Sequence, residues 1–158
     1  MAMEACSTDM FNRILLVCVG NICRSPMAAA LAASRWSSLQ PSLVVESAGV
    51  SALVGSPADP LAQELMLERG IDISDHRARQ LTAQMAHDFE LILVMEGGHQ
   101  RAVESLAPSA RGRVFPLGKW GRFDVPDPYR RPREAFVEAL ELIERGLVDV
   151  EKRMGLAR

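Results

Sequence analysis

Residues 13–36 read RILLVCVGNICRSPMAAALAASRW, and the character of the chain changes twice within them. Arg13 to Val19 is a continuous apolar run, short enough for a strand buried on both faces. From Ser25-Pro26 onward the composition is that of a helix. Ser can cap, Pro fits the first turn, and MAAALAASRW continues with strong helix formers. Between strand and helix lies a short loop holding Cys18, Gly20, Asn21, Cys23 and Arg24. A strand that turns through a polar loop directly into a helix is the first half of a βαβ unit.

The same alternation continues outward. Leu43 to Glu46 reads as a second short strand, and Gly49 to Asp59, rich in Gly, Ser and Pro, as a loop. Asp59-Pro60 opens a helix that ends near Gly70, and Leu81 to His87 is a short helix. Glu90 to Met95 is a third buried strand, His99 to Leu106 a helix stopped by Pro108, and Arg113 to Leu117 a fourth strand. Gly118 to Arg131 is a long loop. Pro132 to Met154 is a closing helix with Ala135, Phe136, Ala139, Leu140, Ile143 and Leu147 at helical spacing. Strands alternating with helices imply an α/β fold, a parallel sheet covered on both faces. Such sheets bind ligands at the carboxyl ends of their strands, near a switch in strand order, and Cys18 ends the first strand.

The chain has 158 residues, the length of one domain. Residues 1–12 are expected to be a flexible lead and 13–158 a single domain. Residues 1–13 have no apolar core of the signal-peptide kind, and no apolar run approaches the ~18 residues of a membrane span. Net charge is −2, which points to neither nucleic acid nor membrane insertion. The three cysteines, Cys6, Cys18 and Cys23, are an odd set that argues against a disulfide framework and for a reducing, cytoplasmic compartment. His76, His87 and His99 are scattered and no Cys/His spacing suits zinc, so no metal and no cofactor are expected.

The loop from Cys18 to Ser25 has the parts needed to hydrolyse a phosphate ester: a nucleophile and a cradle for anionic oxygens. The helix that follows brings its positive N-terminus and free N–H groups. Gly20 supplies freedom for the tight turn, and Asn21 tolerates a left-handed conformation and can pin the loop with its amide. Arg24 offers a planar fork matching two phosphate oxygens. The positive surroundings favour the thiolate of Cys18, and the Ser25 hydroxyl can donate to it. A cysteine at a strand end is more often inert packing, but here five features coincide.

The string VCVGNICRSP resembles the signature of low-molecular-weight protein-tyrosine phosphatases: Cys, any residue, Gly-Asn, any residue, Cys-Arg-Ser-Pro. Glu46-Ser47-Ala48-Gly49, Asp75-His76-Arg77-Ala78-Arg79-Gln80-Leu81 and Val125-Pro126-Asp127-Pro128-Tyr129 follow in family order, so the resemblance spans about Arg13 to Met154. It implies a three-layer fold with a four-stranded parallel sheet and the phosphate-binding loop after the first strand. It also implies hydrolysis of phosphotyrosine through a cysteinyl-phosphate intermediate. Cys18 would be the nucleophile, Arg24 the phosphate clamp and Asp127 the general acid. Residue chemistry alone leaves both Asp124 and Asp127 as candidates; the resemblance selects Asp127. Val19, Gly20, Asn21, Ile22, Cys23 and Ser25 would complete the phosphate site, with Leu53 and Tyr129 as cleft walls. Ser47 and His76 match positions that support the loop Asn. Cys23 is either a small packed residue or, as the family implies, the partner of Cys18 in a reversible protective disulfide.

Related enzymes share this loop. Arsenate reductases need later cysteines, and none follows Cys23. Protein-arginine phosphatases carry Thr where this chain has Ile22. A phosphotyrosine-binding module would lack the nucleophile or the acid, and a redox sensor would need only the two cysteines. WGRFDVPDPYRRPREAF and SALVGSPADP resemble the bacterial subgroup acting on tyrosine autokinases of capsule and exopolysaccharide export. Arg122, Arg130, Arg131 and Arg133 around the late loop would attract an acidic, phosphorylated kinase tail, although a solvated face is the commoner fate of each. A monomer or weak dimer is expected.

Overall fold

A computed structural model describes residues 12–155. Its strands are β1 (Arg13–Cys18), β2 (Val44–Gly49), β3 (Leu91–Val94) and β4 (Val114–Pro116). The helices are α1 (Arg24–Trp36), α2 (Pro60–Glu68), α3 (Ala83–Asp88), α4 (Gly97–Leu106) and α5 (Arg133–Met154), with a 3-10 turn at Pro108–Ala110. The four strands form one parallel sheet in the order β2-β1-β3-β4. The expected α/β class, strand count and loop position are all present. Apart from Asn12, the expected N-terminal lead lies outside the described residues. Asn12 already bonds to the sheet, its carbonyl accepting the Val44 N–H at 2.8 Å.

Side chains alternate across a strand, so β1 serves two cores at once. Ile14, Leu16 and Cys18 face α1, α2 and α5, packing with Met27, Trp36, Met66, Phe136 and Ile143. Leu15 and Val17 face α3 and α4, packing with Phe89, Val103 and Ala110. Each fully buried Leu or Ile contributes about 1.5–3 kcal/mol relative to exposure. β1 therefore cannot shift by one residue without exchanging its two faces. That register places Cys18 at the carboxyl edge, where β2 and β3 flank β1 on opposite sides.

Several details depart from expectation for physical reasons. β2 runs on to Gly49 rather than ending at Glu46, because it stays paired in parallel with β1 as far as Cys18. Ser25 does not cap α1: Cys23 is the N-cap with no side-chain capping bond, and the Ser25 hydroxyl turns to Cys18. α4 begins at Gly97 rather than His99, although Gly97-Gly98 is a poor helix start. The Asp124 carboxylate, from the loop after β4, accepts the Gly97 N–H at 3.0 Å and supplies a cap from outside the helix. In α5, Ala135 is only partly buried, and the inward stripe is Phe136, Ala139, Leu140, Ile143, Gly146, Leu147 and Val150.

Candidate active site

The loop from Cys18 to Cys23 is held by its carbonyls. Those of Cys18, Val19, Gly20, Ile22 and Cys23 accept the N–H groups of Val50, Ser51, Leu53, Asp59 and Met27 at 2.8–3.3 Å. The Asn21 carbonyl accepts from His76 Nε2 at 2.7 Å. No peptide among the described residues is cis. In a trans peptide unit the next N–H points opposite the carbonyl, so the N–H groups of residues 19–24 turn away from all six partners. The loop's donors are thereby gathered on one side.

Asn21 sits at the centre of this bracing. It takes the left-handed conformation (φ 60°), which the sequence suggested it would tolerate. Gly20, expected to supply the turn's freedom, does not adopt positive φ, and a side chain there would meet only ordinary contacts. The Asn21 amide donates to Ser25 Oγ at 2.7 Å and Ser47 Oγ at 2.9 Å, and its Oδ1 accepts the Arg79 N–H at 2.9 Å. Arg79 also donates from Nε to the Ser47 carbonyl and pairs with Glu46. Because Ser25 Oγ accepts from Asn21, its own proton is free for Cys18 Sγ, 2.9 Å away. His76 is half-buried. Burial holds its imidazole below the ordinary value, Arg77 and Arg79 act in the same direction, and the Asn21 carbonyl opposes. That favours the neutral ring, whose Nε2–H serves the carbonyl.

Cys18, Val19, Gly20, Ile22, Cys23 and Arg24 line a cleft of about 140 Å³ with Ser51, Leu53, Asp127 and Tyr129. Asn21 and Ser25, expected among the substrate contacts, are fully buried, and their side chains act behind the cleft. Ser47 and His76 stand where loop support was expected, and the structure adds Arg79 to them. Leu53 and Tyr129 are 44% and 39% exposed, the half-open state of cleft walls.

Arg24 is almost fully buried. Its Nη1 donates to Glu96 at 2.5 Å and to the Val125 carbonyl at 2.7 Å. Its Nη2 stands 3.9 Å from Asp127 Oδ2, and its buried Nε has no hydrogen-bond partner. One edge of the guanidinium is therefore occupied, and the Nε–Nη2 edge is available for two oxygens of a ligand. Asp127 is held by an Asx turn, its Oδ1 accepting the Tyr129 N–H at 3.1 Å, with its carboxylate half-exposed. The loop carrying it is tied down by Val125, whose N–H bonds the Met95 carbonyl at 2.9 Å.

Cys23 is buried, and burial, with Asp59, Cys18 and Asp127 adding to it, pushes its thiol well above the usual range against the opposing Arg24. It is therefore a protonated packing residue as well as part of the cleft floor. Both described cysteines are free thiols. Among the described residues, no three His, Cys, Asp or Glu side chains are grouped to hold a metal.

Sequence reasoning passed over several contributors. Glu96 orients Arg24, and its signal was its position at the end of β3, on the same sheet edge as Cys18. Asp124, the candidate acid that the resemblance set aside, caps α4. Ser51 lines the cleft. Gly49 was read as a motif residue opening a loop; it ends β2 instead, and a Cβ there would lie 2.4 Å from the Val19 carbonyl oxygen. His99, given no role, is half-buried with Nδ1 unpartnered, close enough to Arg24, Glu96, Asp124 and Asp127 to feel their charges. His87 is exposed.

Comparison with known proteins agrees with this geometry. The model of the family described as low molecular weight phosphotyrosine protein phosphatase matches residues 13–155. The probable low molecular weight protein-tyrosine-phosphatase EpsP of Ralstonia nicotianae is 52% identical over 138 residues, covering 87% of this chain and 92% of that protein. The structure of Vibrio vulnificus Wzb in complex with benzylphosphonate is 43% identical with a TM-score of 0.83, covering 90% of this chain and 99% of that one. The YwlE arginine phosphatase from Geobacillus stearothermophilus is 33% identical with a TM-score of 0.82, covering 91% of this chain and 93% of that one, so the fold alone does not choose the substrate. The chain belongs to the low molecular weight phosphotyrosine protein phosphatases.

Proposed function

We propose that the enzyme hydrolyses phosphotyrosine in proteins through a phosphorylated Cys18. The observation that carries this reading is the braced loop, with Ser25 donating to Cys18 Sγ while the carbonyls on either side are tied away from the cleft. The Cys18 thiolate attacks phosphorus in line, forming the S–P bond as the P–O bond to tyrosine breaks. The N–H groups of residues 19–24 and the Nε–Nη2 edge of Arg24 hold the three oxygens. Asp127 gives its proton to the departing phenolate, then as carboxylate takes one from the water that attacks phosphorus. The S–P bond breaks, inorganic phosphate leaves, and the Ser25 hydroxyl stabilises the returning thiolate.

Leu53 and Tyr129 flank the mouth and suit an aromatic ring. Ile22 adds apolar bulk to the cleft where the arginine phosphatases carry Thr. Together they favour tyrosine over arginine. The resemblance to bacterial exopolysaccharide- and capsule-associated members supports a tyrosine autokinase as the partner, with the enzyme acting as a cytoplasmic monomer or weak dimer. Among the described residues, no helix is long and apolar enough to cross a membrane.

The test is turnover of p-nitrophenyl phosphate and of a phosphotyrosine peptide. Cys18→Ser abolishes both, and Asp127→Asn lowers kcat by about 10²–10⁴-fold. Chelator leaves the rate unchanged. Activity surviving Cys18→Ser, or faster release of phosphate from phosphoarginine than from phosphotyrosine, would overturn the reading.

A further inference from the structure

Four arginines cluster around the loop that carries Asp127, and the structure separates them. Arg133 is engaged by Glu64 and Glu68 of α2. Arg131 lines a neighbouring groove with Glu134 and Glu138, which adjoins the cleft at Asp127. Arg122 lies in the turn closed on Lys119, away from the cleft lining. Arg130 is different: it is exposed, it has no acidic partner among the described residues, and its guanidinium lies over the Tyr129 ring, 5.2 Å from the centroid. Tyr129 is a wall of the cleft. The unpaired cation is thus held at the lip of the slot, on the ring that would flank a bound phosphotyrosine.

The backbone adds a second observation, one that Arg122 (φ 59°) shares away from the cleft. Arg130 is the third residue of a turn from Pro128 to Arg131, closed by a 2.9 Å hydrogen bond. It adopts φ 64°, a left-handed conformation that normally falls to Gly or Asn. Local chemistry would choose either of those here. At the mouth of the cleft, a long cationic side chain kept in a conformation that disfavours it fits a use beyond the turn.

We propose that Arg130 reads an anionic side chain adjacent to the phosphotyrosine, so that the enzyme prefers sites flanked by a carboxylate or a second phosphate. This rests on the phosphotyrosine reading of the cleft and adds a substrate preference to it. The guanidinium keeps one face on Tyr129 while its N–H edge reaches the incoming oxygens, a combination open to Arg and not to Lys. The pairing is solvent-exposed, so its effect is modest and salt-sensitive.

The experiment compares kcat/KM for three phosphotyrosine peptides that differ only in the neighbouring residue: Glu, phosphoserine or Gln. The wild type should favour Glu over Gln by about two- to fivefold at low salt. Phosphoserine should give a larger ratio because it carries more charge, and both ratios should shrink at high salt. Arg130→Asn, which the left-handed turn accommodates, should bring both ratios to about one without loss of thermal stability. Ratios that persist in Arg130→Asn would overturn the proposal. So would equal rates on all three peptides in the wild type, or a uniform loss that keeps the ratios, which would mean that Arg130 merely props Tyr129. A preference for phosphoserine alone would assign the subsite to phosphate rather than carboxylate. A wild type that cleaves none of the three peptides would instead overturn the phosphotyrosine reading, and this inference with it.

Discussion

Arg24 and Asn21 share a design at the scale of single residues: each is oriented by partners that never meet the substrate. Glu96 and the Val125 carbonyl hold one edge of Arg24 so that the other faces the cleft. Glu96→Ala removes the charged half of that hold and lets a buried guanidinium rotate. Misplacement on the scale of 1 Å is worth up to about 10²-fold in rate, so kcat/KM should fall about 10–100-fold while circular dichroism shows an intact fold. Wild-type turnover in Glu96→Ala would show that Val125 suffices alone. His76 carries a pH dependence. Its folded value lies below the ordinary 6.5, so on acidification the unfolded chain binds the proton first. Folding stability should therefore decline as pH falls below about 6.5. His99 is shifted in the same direction and shares in the slope. Thermal melts from pH 8 to 5 should show a shallower slope in His76→Gln than in the wild type, and identical slopes would remove His76 from this role.

Secondary-structure elements meet at two places where a small change has a definable effect. At the end of β2, Gly49 lets the strand pass under the loop: a Cβ would sit 2.4 Å from the Val19 carbonyl oxygen and 3.1 Å from Asn21 Cβ. Gly49→Ala must push the loop, costing about 1–3 kcal/mol of stability and reducing kcat through the displaced N–H groups. A variant with lower stability but native kcat would show that the loop absorbs the intrusion. The second junction joins α1 to α5 at the end of the molecule opposite the cleft. Glu151 accepts from Arg35 Nε at 2.5 Å and from the indole of fully buried Trp36 at 2.9 Å. Burial alone would raise its carboxyl, but these bonds outweigh it and hold the group below the usual carboxylate value. Glu151→Ala leaves the Trp36 N–H unsatisfied, so urea unfolding should show a loss of about 1–3 kcal/mol. The rate below the melting transition should hold, because the hydrogen bonds of Glu151 run to the last turn of α1, whose first turn is the one at the cleft.

For the whole molecule, the cleft is a property of the closed fold. Cys18 comes from the end of β1, Leu53 from the loop after β2, and Asp127 and Tyr129 from the loop after β4, while Glu96, just after β3, holds Arg24. An oxyanion that bridges the loop and Arg24 therefore ties these segments together only in the folded state. Inorganic phosphate at about 100 times its Kd should stabilise the enzyme by about 2.7 kcal/mol, read as a rise in Tm. Arg24→Ala should show little of that rise, and an equal rise in the variant would place the anion elsewhere.

Much of this was legible in the chain itself because the reacting loop is contiguous. The strand, the turn and the helix that form it lie within residues 13–36, and apolar period and composition mark each boundary. The α/β class and the cleft's place at the carboxyl edge followed from the alternation of elements. The sequence also put Cys18, Arg24 and, with the resemblance, Asp127 in one candidate site, and all three line the same cleft. The roles of Glu96, Asp124 and Gly49 were decided only in three dimensions. Glu96 meets Arg24 from 72 positions away, and Asp124 caps α4 from 27 positions away. Gly49 meets the loop only because β1 and β2 pair in parallel with Cys18 beside Gly49. Local chemistry writes a strand–loop–helix and its reactive groups. The direction in which those groups point is set by contacts that exist only once the sheet has closed.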